Sequence, residues 1–97
     1  MTIEKKLVKD TLTIYLEGRL DTATSPDLEN EVKMISGIVH LVFDFKKLEY
    51  ISSAGLRVIL SAYKLMTKHG DMLIVNANDS IKNIFEITGF SNVLNIL

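Results

Sequence analysis

The segment from Tyr50 to Arg57 carries the residues best suited to chemistry in this chain of 97 residues. Two hydroxyls, Ser52 and Ser53, and a glycine, Gly55, stand together at the predicted start of a helix. The first turn of a helix has unpaired N–H groups and a partial positive charge, so it stabilises a phosphate or carboxylate. Gly55 is expected to let a partner approach closely. The spacing also fits a simpler role, in which one serine is an N-cap and the glycine fits a tight packing site.

A nucleophilic serine is the enzymatic alternative for these hydroxyls. A nucleophile elbow requires Gly-x-Ser-x-Gly, whereas Ile51-Ser-Ser-Ala-Gly55 lacks the first glycine. The general base would have to be His40, inside an apolar strand, or His69, at a helix end, and both are expected to be structural. No dinucleotide fingerprint, phosphate-binding loop or His-Glu-x-x-His motif occurs. The sequence therefore predicts no catalytic residue, no metal and no cofactor.

Asp44, which follows a buried apolar run, is the second candidate for chemistry. A carboxylate at the carboxyl end of a strand could accept a phosphoryl group, as in response-regulator receivers. Such a site needs further acidic residues to hold Mg²⁺, but the early strands end in Gly18 and a lone Asp21. Asp44 is therefore expected to cap the loop that follows it.

Composition and charge restrict the class of protein. The chain has 11 Lys+Arg against 12 Asp+Glu, 47% hydrophobic residues and no cysteine, which predicts a single domain spanning residues 1–97. The lysines are scattered in pairs without interleaved aromatic residues, so direct nucleic-acid binding is not expected. No stretch approaches the ~20 apolar residues of a membrane span. The N-terminus lacks the order of a secretory signal, so a cytoplasmic location is expected.

Hydrophobic periodicity predicts the elements that position these residues. Alternation over residues 3–17 predicts two half-buried strands joined near Lys9-Asp10, and Gly18 is expected to end the second of them. Apolar runs at 38–43 and 72–75 predict two buried strands, and the strand at 38–43 is expected to end at Asp44. Helical spacing and caps predict three helices, one capped by Ser25 and ended by Gly37, one from Ser52 or Ser53 to Gly70, and one capped by Asp79 or Ser80 and ended by Gly89. The order ββαβαβα predicts an α/β fold: a mixed, largely parallel sheet of four to five strands with about three to four helices.

The segment Asp44-Phe-Lys-Lys-Leu-Glu-Tyr-Ile-Ser-Ser-Ala-Gly-Leu56 resembles the signature of STAS domains, specifically the bacterial anti-sigma factor antagonists. In these proteins a strand ending in Asp precedes an Asp-Ser-Ser/Thr/Ala-Gly-Leu turn. Gly18-Arg-Leu-Asp-Thr22 is similar to the Gly-x-Leu-Asp loop of the family, and the ββαβαβα order agrees. The resemblance extends over almost the whole chain.

The resemblance implies a binding module rather than an enzyme. Unmodified family members bind an anti-sigma factor that is also a serine kinase, and this binding releases the sigma factor. The kinase then uses ATP to phosphorylate the family member, which breaks the complex. A metal-dependent serine phosphatase removes the phosphate and restores binding. Ser53 matches the phosphate acceptor. The positions that match the partner-binding surface are Asp21, Thr22, Asp44, Ser52, Ala54, Gly55, Leu56 and Arg57. A new charge of about −1.5 to −2 within an interface adds repulsion and desolvation, which supports such a switch.

Two positions depart from the pattern of the family. Position 52 is Ser where the best-known members have Asp, so one negative charge of the kinase-facing surface is absent. Position 57 is Arg where many members have a small residue, four residues beyond Ser53, and we expect it to neutralise part of the charge of phosphorylated Ser53. Two alternatives remain open: a STAS subunit of a transporter or signalling complex that is not phosphorylated, and a serine hydrolase.

Overall fold

The computed structural model describes residues 1–97 and contains five strands and three α-helices. After two initial strands, helices and strands alternate along the chain. The strands are β1 (Thr2–Val8), β2 (Thr11–Leu20), β3 (His40–Ile51), β4 (Asp71–Val75) and β5 (Asn95–Ile96). The helices are α1 (Ser25–Lys33), α2 (Ser53–Met66) and α3 (Asp79–Ile87), and a 3₁₀ turn at Phe90–Asn92 leads into β5. The predicted α/β class is confirmed.

The strands lie in one sheet in their order along the chain, β1-β2-β3-β4-β5. β1 is antiparallel to β2, and every other neighbouring pair is parallel. Alternate residues of the sheet, such as Ile14, Phe43 and Ile74, are buried in a single cluster with the apolar residues of all three helices. The helices therefore cover one face of the sheet and leave the other face open. No helix combines the length and the apolar composition needed to cross a lipid bilayer.

Helix α2 packs on the sheet through apolar residues that recur at helical spacing. Leu56, Ile59, Ala62 and Met66 are all buried along one stripe of the helix. Beneath them the ring of Phe45 lies 6.0 Å from that of Phe43 and 6.5 Å from that of Phe85 on α3, measured between centroids. Packing of α2 on the sheet fixes where its first turn, with Ser52 and Ser53, is placed.

Strand β3 does not end at Asp44 as predicted but continues to Ile51. Its pairing with β2 shifts twice, first after Tyr15–Asp44 and again before Arg19–Tyr50. Each shift adds a residue to β3, as in a β-bulge, so the buried positions beyond Asp44 recur at every third residue rather than every second. A strand pattern with period two could not predict this extension.

Bulge geometry also explains the real role of the Asp44 side chain. Its carboxylate accepts a hydrogen bond from the N–H of Lys46 at 2.9 Å and another from the amide of Asn76 at 3.2 Å. The first of these bonds satisfies a backbone donor at the bulge, and the second ties β3 to the end of β4. Asp44 stabilises a bulged strand rather than a loop.

Three more predicted boundaries are wrong. β2 passes through Gly18, which adopts φ +102° at the second register shift, and ends at Leu20. Ser25 does not cap α1, because it is already helical and buried and its hydroxyl donates to the carbonyl of Asp21. α1 ends at Lys33, before Gly37.

The remaining differences lie in the second half of the chain. α2 ends at Met66 rather than at Gly70, although the Gly70 N–H still bonds to the Met66 carbonyl at 2.8 Å. Asn78, not Asp79 or Ser80, caps α3 by accepting from the N–H of Ile81 at 2.8 Å. The apolar tail forms the short strand β5, which pairs with β4.

Candidate functional site

Ser52 is the N-cap of α2, and each of its polar groups is engaged. Its Oγ accepts from the N–H of Gly55 at 3.2 Å, and its carbonyl accepts from the N–H of Leu56 at 2.9 Å. Its own N–H donates to the carbonyl of Leu20 at 2.9 Å, which fastens the turn to the end of β2. The backbone of Ser52 is extended, with φ −95° and ψ 175°, as an N-cap requires.

Ser53 is the first residue of α2, and its side chain is exposed. Its hydroxyl makes no hydrogen bond within the chain, in contrast to that of Ser52. Helix-start signals alone left open which serine is the N-cap; in the structure Ser52 caps the helix, and the Ser53 hydroxyl is exposed and unbonded. The positive end of the helix favours a negative charge at this position.

Gly55 faces the protein interior, so of its two predicted roles the structure supports the tight packing site rather than close approach of a partner. A Cβ atom at this position would lie 2.7 Å from the Leu20 Cγ, 2.9 Å from the Leu20 carbonyl oxygen and 3.0 Å from the Ile51 Cγ1. The missing side chain therefore allows α2 to approach the ends of β2 and β3. Leu56 is also buried, at 6% exposure, so both residues shape the turn from beneath and offer little surface for contact.

The loop after β2 is ordered around the carboxylate of Asp21. One of its oxygens accepts from the N–H groups of Ala23 at 3.0 Å and Thr24 at 3.1 Å, as well as from the Thr24 hydroxyl. These bonds, first of all the one from the Thr24 N–H, favour the ionised form and hold the pKa of Asp21 below its ordinary value. Nearby Arg19 acts in the same direction. This loop presents Thr22, which is exposed.

A groove of about 420 Å³ runs between α1 and α2, beginning at this loop. Thr22, Ala54 and Arg57 line it together with Glu29 and Lys33 of α1. The Lys33 ammonium pairs with the Glu29 carboxylate at 3.1 Å, whereas Arg57 has no ion-pair partner in the chain. The structure thus assembles most of the predicted surface at one end of α2, and its exposed members are Thr22, Ser53 and Arg57.

Asp44 does not belong to this assembly. It lies on the open face of the sheet, in a hollow that it shares with Tyr15, Glu17 and Lys46. The motif that includes Asp44 and Ser53 is continuous in sequence, but its two ends serve different faces of the molecule.

A contact beside the Asp21 loop could not be predicted from the sequence: the Arg19 guanidinium lies 4.3 Å from the centre of the Tyr50 ring. The same guanidinium is 3.8 Å from the Asp21 carboxylate. The residues are neighbours only because the second register shift pairs Arg19 with Tyr50. Arginine and tyrosine are among the residue types enriched at the energetic centres of protein interfaces.

Both histidines lie at the opposite end of the molecule from Ser53. His69 follows the C-terminus of α2, about 20 Å along the helix from its first residue. His40 is the exposed first residue of β3 rather than an inner residue of an apolar strand, and it lies 2.7 Å from the carboxylate of Asp71. This hydrogen bond raises the pKa of His40 above 6.5. No group of three His, Cys, Asp or Glu side chains lies together anywhere in the chain.

The chain belongs to the STAS domain family, whose model matches residues 2–97. BtrV of Bordetella bronchiseptica, a protein named as an anti-sigma factor antagonist, is 31% identical over 96 residues, which cover 96% of this chain and 81% of BtrV. The anti-sigma-B factor antagonist of Listeria monocytogenes is 29% identical over 90 residues, which cover 90% of this chain and 79% of that protein. The resemblance inferred from the motifs is confirmed.

Solved structures share the fold over nearly the full chain. An anti-sigma factor antagonist from Mycobacterium paratuberculosis superimposes with a TM-score of 0.88 at 20% identity, covering 98% of this chain and 83% of the other. The Bacillus protein SpoIIAA superimposes in its phosphorylated form with a TM-score of 0.78 at 15% identity, covering 99% and 91%. The STAS domain of a SulP transporter from Vibrio cholerae gives a TM-score of 0.70 at 18% identity, covering 94% and 75%.

Proposed function

We propose that this chain is an anti-sigma factor antagonist, which binds an anti-sigma factor with serine kinase activity and so frees a sigma factor. The names and matching lengths of the Bordetella and Listeria relatives support this function. The surface formed by the ordered Asp21 loop and the start of α2 supports a binding module. Sigma factors act on RNA polymerase, so the proposed location is the cytoplasm.

Ser53 is the proposed phosphate acceptor. The observation that carries this assignment is the difference between two adjacent hydroxyls: that of Ser52 is held as the helix cap, and that of Ser53 is exposed and unbonded. A kinase needs an accessible hydroxyl. Modification of Ser52 would also remove a bond that satisfies the N–H of Gly55.

The proposed switch acts through charge on a surface of fixed shape. A phosphate adds about −1.5 to −2 charge and strong acceptor oxygens, which oppose binding when they are buried against a partner. Within the chain the same charge lies at the positive end of α2, where it is tolerated. The fold therefore need not change, and a metal-dependent serine phosphatase would restore the binding form.

Phosphorylation mapping with two matched variants tests the acceptor. The chain is incubated with ATP and an anti-sigma factor serine kinase from the same organism, and the phosphate is located by mass spectrometry. Ser53→Ala removes the proposed acceptor. Ser52→Asp removes the neighbouring hydroxyl and introduces a carboxylate that can also cap α2, so the helix start stays intact.

We expect one phosphate on Ser53 in both the wild type and Ser52→Asp, and none in Ser53→Ala. Phosphate on Ser52, or undiminished phosphorylation of Ser53→Ala, would contradict the assignment. Equal melting temperatures of the two variants and the wild type are the control that the turn is preserved.

Calorimetry with the same kinase tests the switch itself. Ser53→Ala should bind like the wild type, because only one hydroxyl is lost from the surface. Phosphorylated Ser53 should bind at least about ten- to hundredfold more weakly, which corresponds to roughly 1–3 kcal/mol. Equal affinity of the phosphorylated and unmodified proteins would exclude the switch.

The same experiments separate the two alternatives. A STAS subunit that is not phosphorylated, as in some transporters or signalling complexes, would bind its partner whatever the state of Ser53. A serine hydrolase would require a base beside Ser53, but both histidines lie at the other end of the molecule. An activity-based serine probe should therefore leave Ser53 unlabelled.

A further inference from the structure

Strand β1 is the long free edge of the sheet. It pairs with β2 through a two-residue turn at Lys9-Asp10, closed by the pair Val8–Thr11. The closing pair of such a hairpin is hydrogen-bonded, so in alternation the backbones of Ile3, Lys5 and Leu7 face away from β2. Their N–H and C=O groups are directed outward and have no partner in the chain.

The side chains of β1 are arranged symmetrically about Lys5. Glu4 and Lys6 flank it on the open face of the sheet and are both exposed, and neither has an ion-pair partner in the chain. On the helix face, Ile3 packs against the core, but Leu7 is 62% exposed because no helix reaches this part of the edge. Glu4 and Lys6 therefore lie one position before and after Lys5, and Ile3 and Leu7 lie two positions before and after it.

We propose that two copies of this chain associate by antiparallel pairing of their β1 strands about a two-fold axis at Lys5. In this register Glu4 of each copy lies opposite Lys6 of the other, and Ile3 lies opposite Leu7. Opposite charges and apolar side chains in directly facing positions stabilise antiparallel strands. The outward backbones of Ile3, Lys5 and Leu7 exchange about six hydrogen bonds with the second copy. The two five-stranded sheets join into one, with the helices of both copies on the same face.

Neighbouring registers lack this complementarity. Centring the pairing on Glu4 brings the two Glu4 side chains together, and centring it on Lys6 brings the two Lys6 side chains together. Lysine on an edge strand usually prevents association because like charges meet. In the proposed register the only like pair is Lys5 with Lys5, and each Lys5 ammonium is already paired with Glu31 of its own chain.

This association is independent of the proposed switch. No β1 residue lines the groove between α1 and α2, and the exposed hydroxyl of Ser53 is not on the edge. Both copies can therefore present their partner-binding surfaces at the same time.

Sedimentation equilibrium of the purified chain tests the proposal with a charge reversal and its compensation. Glu4→Lys places lysine opposite lysine at two positions of the dimer. The double variant Glu4→Lys/Lys6→Glu restores both opposite-charge pairs with their signs exchanged. Glu86→Lys, an exposed change of the same charge on α3, is the control for net charge. Circular dichroism checks that every variant is folded.

We expect the wild type, the double variant and Glu86→Lys to dimerise with affinities equal within about threefold, and Glu4→Lys to dimerise at least about tenfold more weakly. A wild type that is monomeric up to about 1 mM would overturn the proposal. So would a double variant that stays as weak as Glu4→Lys, or a loss in Glu86→Lys as large as in Glu4→Lys.

Discussion

Replacing Gly55 by alanine tests whether the close approach of α2 to the sheet is as tight as the structure indicates. The new methyl group would lie 2.7 Å from the Leu20 Cγ and 2.9 Å from the Leu20 carbonyl oxygen, well inside ordinary contact distance. The leucine side chain can adjust, but the carbonyl accepts the hydrogen bond from Ser52 and is fixed by it. The overlap can be relieved only by moving the start of α2.

Two opposing effects set the size of the loss. Overpacking of this kind costs about 1–3 kcal/mol, and the fixed carbonyl favours the upper part of that range. Alanine is better than glycine within a helix by roughly 1 kcal/mol, which offsets part of the cost. The expected net destabilisation is about 1–2 kcal/mol, which lowers the melting temperature of a domain of this size by roughly 5–15 °C.

Thermal unfolding followed by circular dichroism measures this change. Ser53→Ala, two residues away and exposed, is the matched control and should stay within about 0.5 kcal/mol of the wild type. If Gly55→Ala melts at or above the temperature of the wild type, helix propensity outweighs packing at this site. The explanation of the glycine by close packing would then be wrong.

Three further predictions concern the capping serine, the histidine and the arginine. Ser52→Ala should lower the free energy of unfolding by about 0.5–2 kcal/mol in urea titrations, because the N–H of the third helical residue loses its acceptor. The raised pKa of His40 means that its pairing with Asp71 stabilises the fold fully below pH 6.5 and that this contribution is lost as the pH rises through the raised value. Thermal melts at several pH values should show this loss in the wild type but not in His40→Gln. Arg57→Ala should widen the ratio of partner affinities between the unphosphorylated and phosphorylated proteins in low salt, since a guanidinium four residues from Ser53 shields its phosphate; an equal weakening of both states would make Arg57 a partner contact instead.

Local patterns in the sequence predicted most elements of the fold, because burial on one face produces a period that can be seen within ten residues. The strand at residues 72–75 and the apolar stripe of α2 are examples. The continuation of β3 beyond Asp44 could not be predicted, because its bulges depend on pairing with β2. Strand β5 has only two residues, and contact with β4 rather than propensity forms it.

The location of the candidate site could be predicted from the sequence, but the contacts that each of its residues makes could not. Either of two adjacent serines at a helix start can be the N-cap, and the extended backbone of Ser52 is what makes it the cap here. The inward position of Gly55 depends on the end of β2, more than thirty residues earlier. Asp44 matched a family motif, yet its neighbours in space are a bulged amide and Asn76.

The arrangement of the strands in chain order has a consequence for how the protein acquires its structure. Each strand pairs only with the strands before and after it along the chain, so each pairing can form as soon as the next strand is present. The β1–β2 hairpin joins segments close in sequence and loses little loop entropy when it forms, whereas each parallel pair must close a longer loop that contains a helix. A chain leaving the ribosome can extend its sheet one strand at a time, from the β1–β2 hairpin towards β5. The two residues of β5 complete the sheet beside β4, so this edge is the last to form.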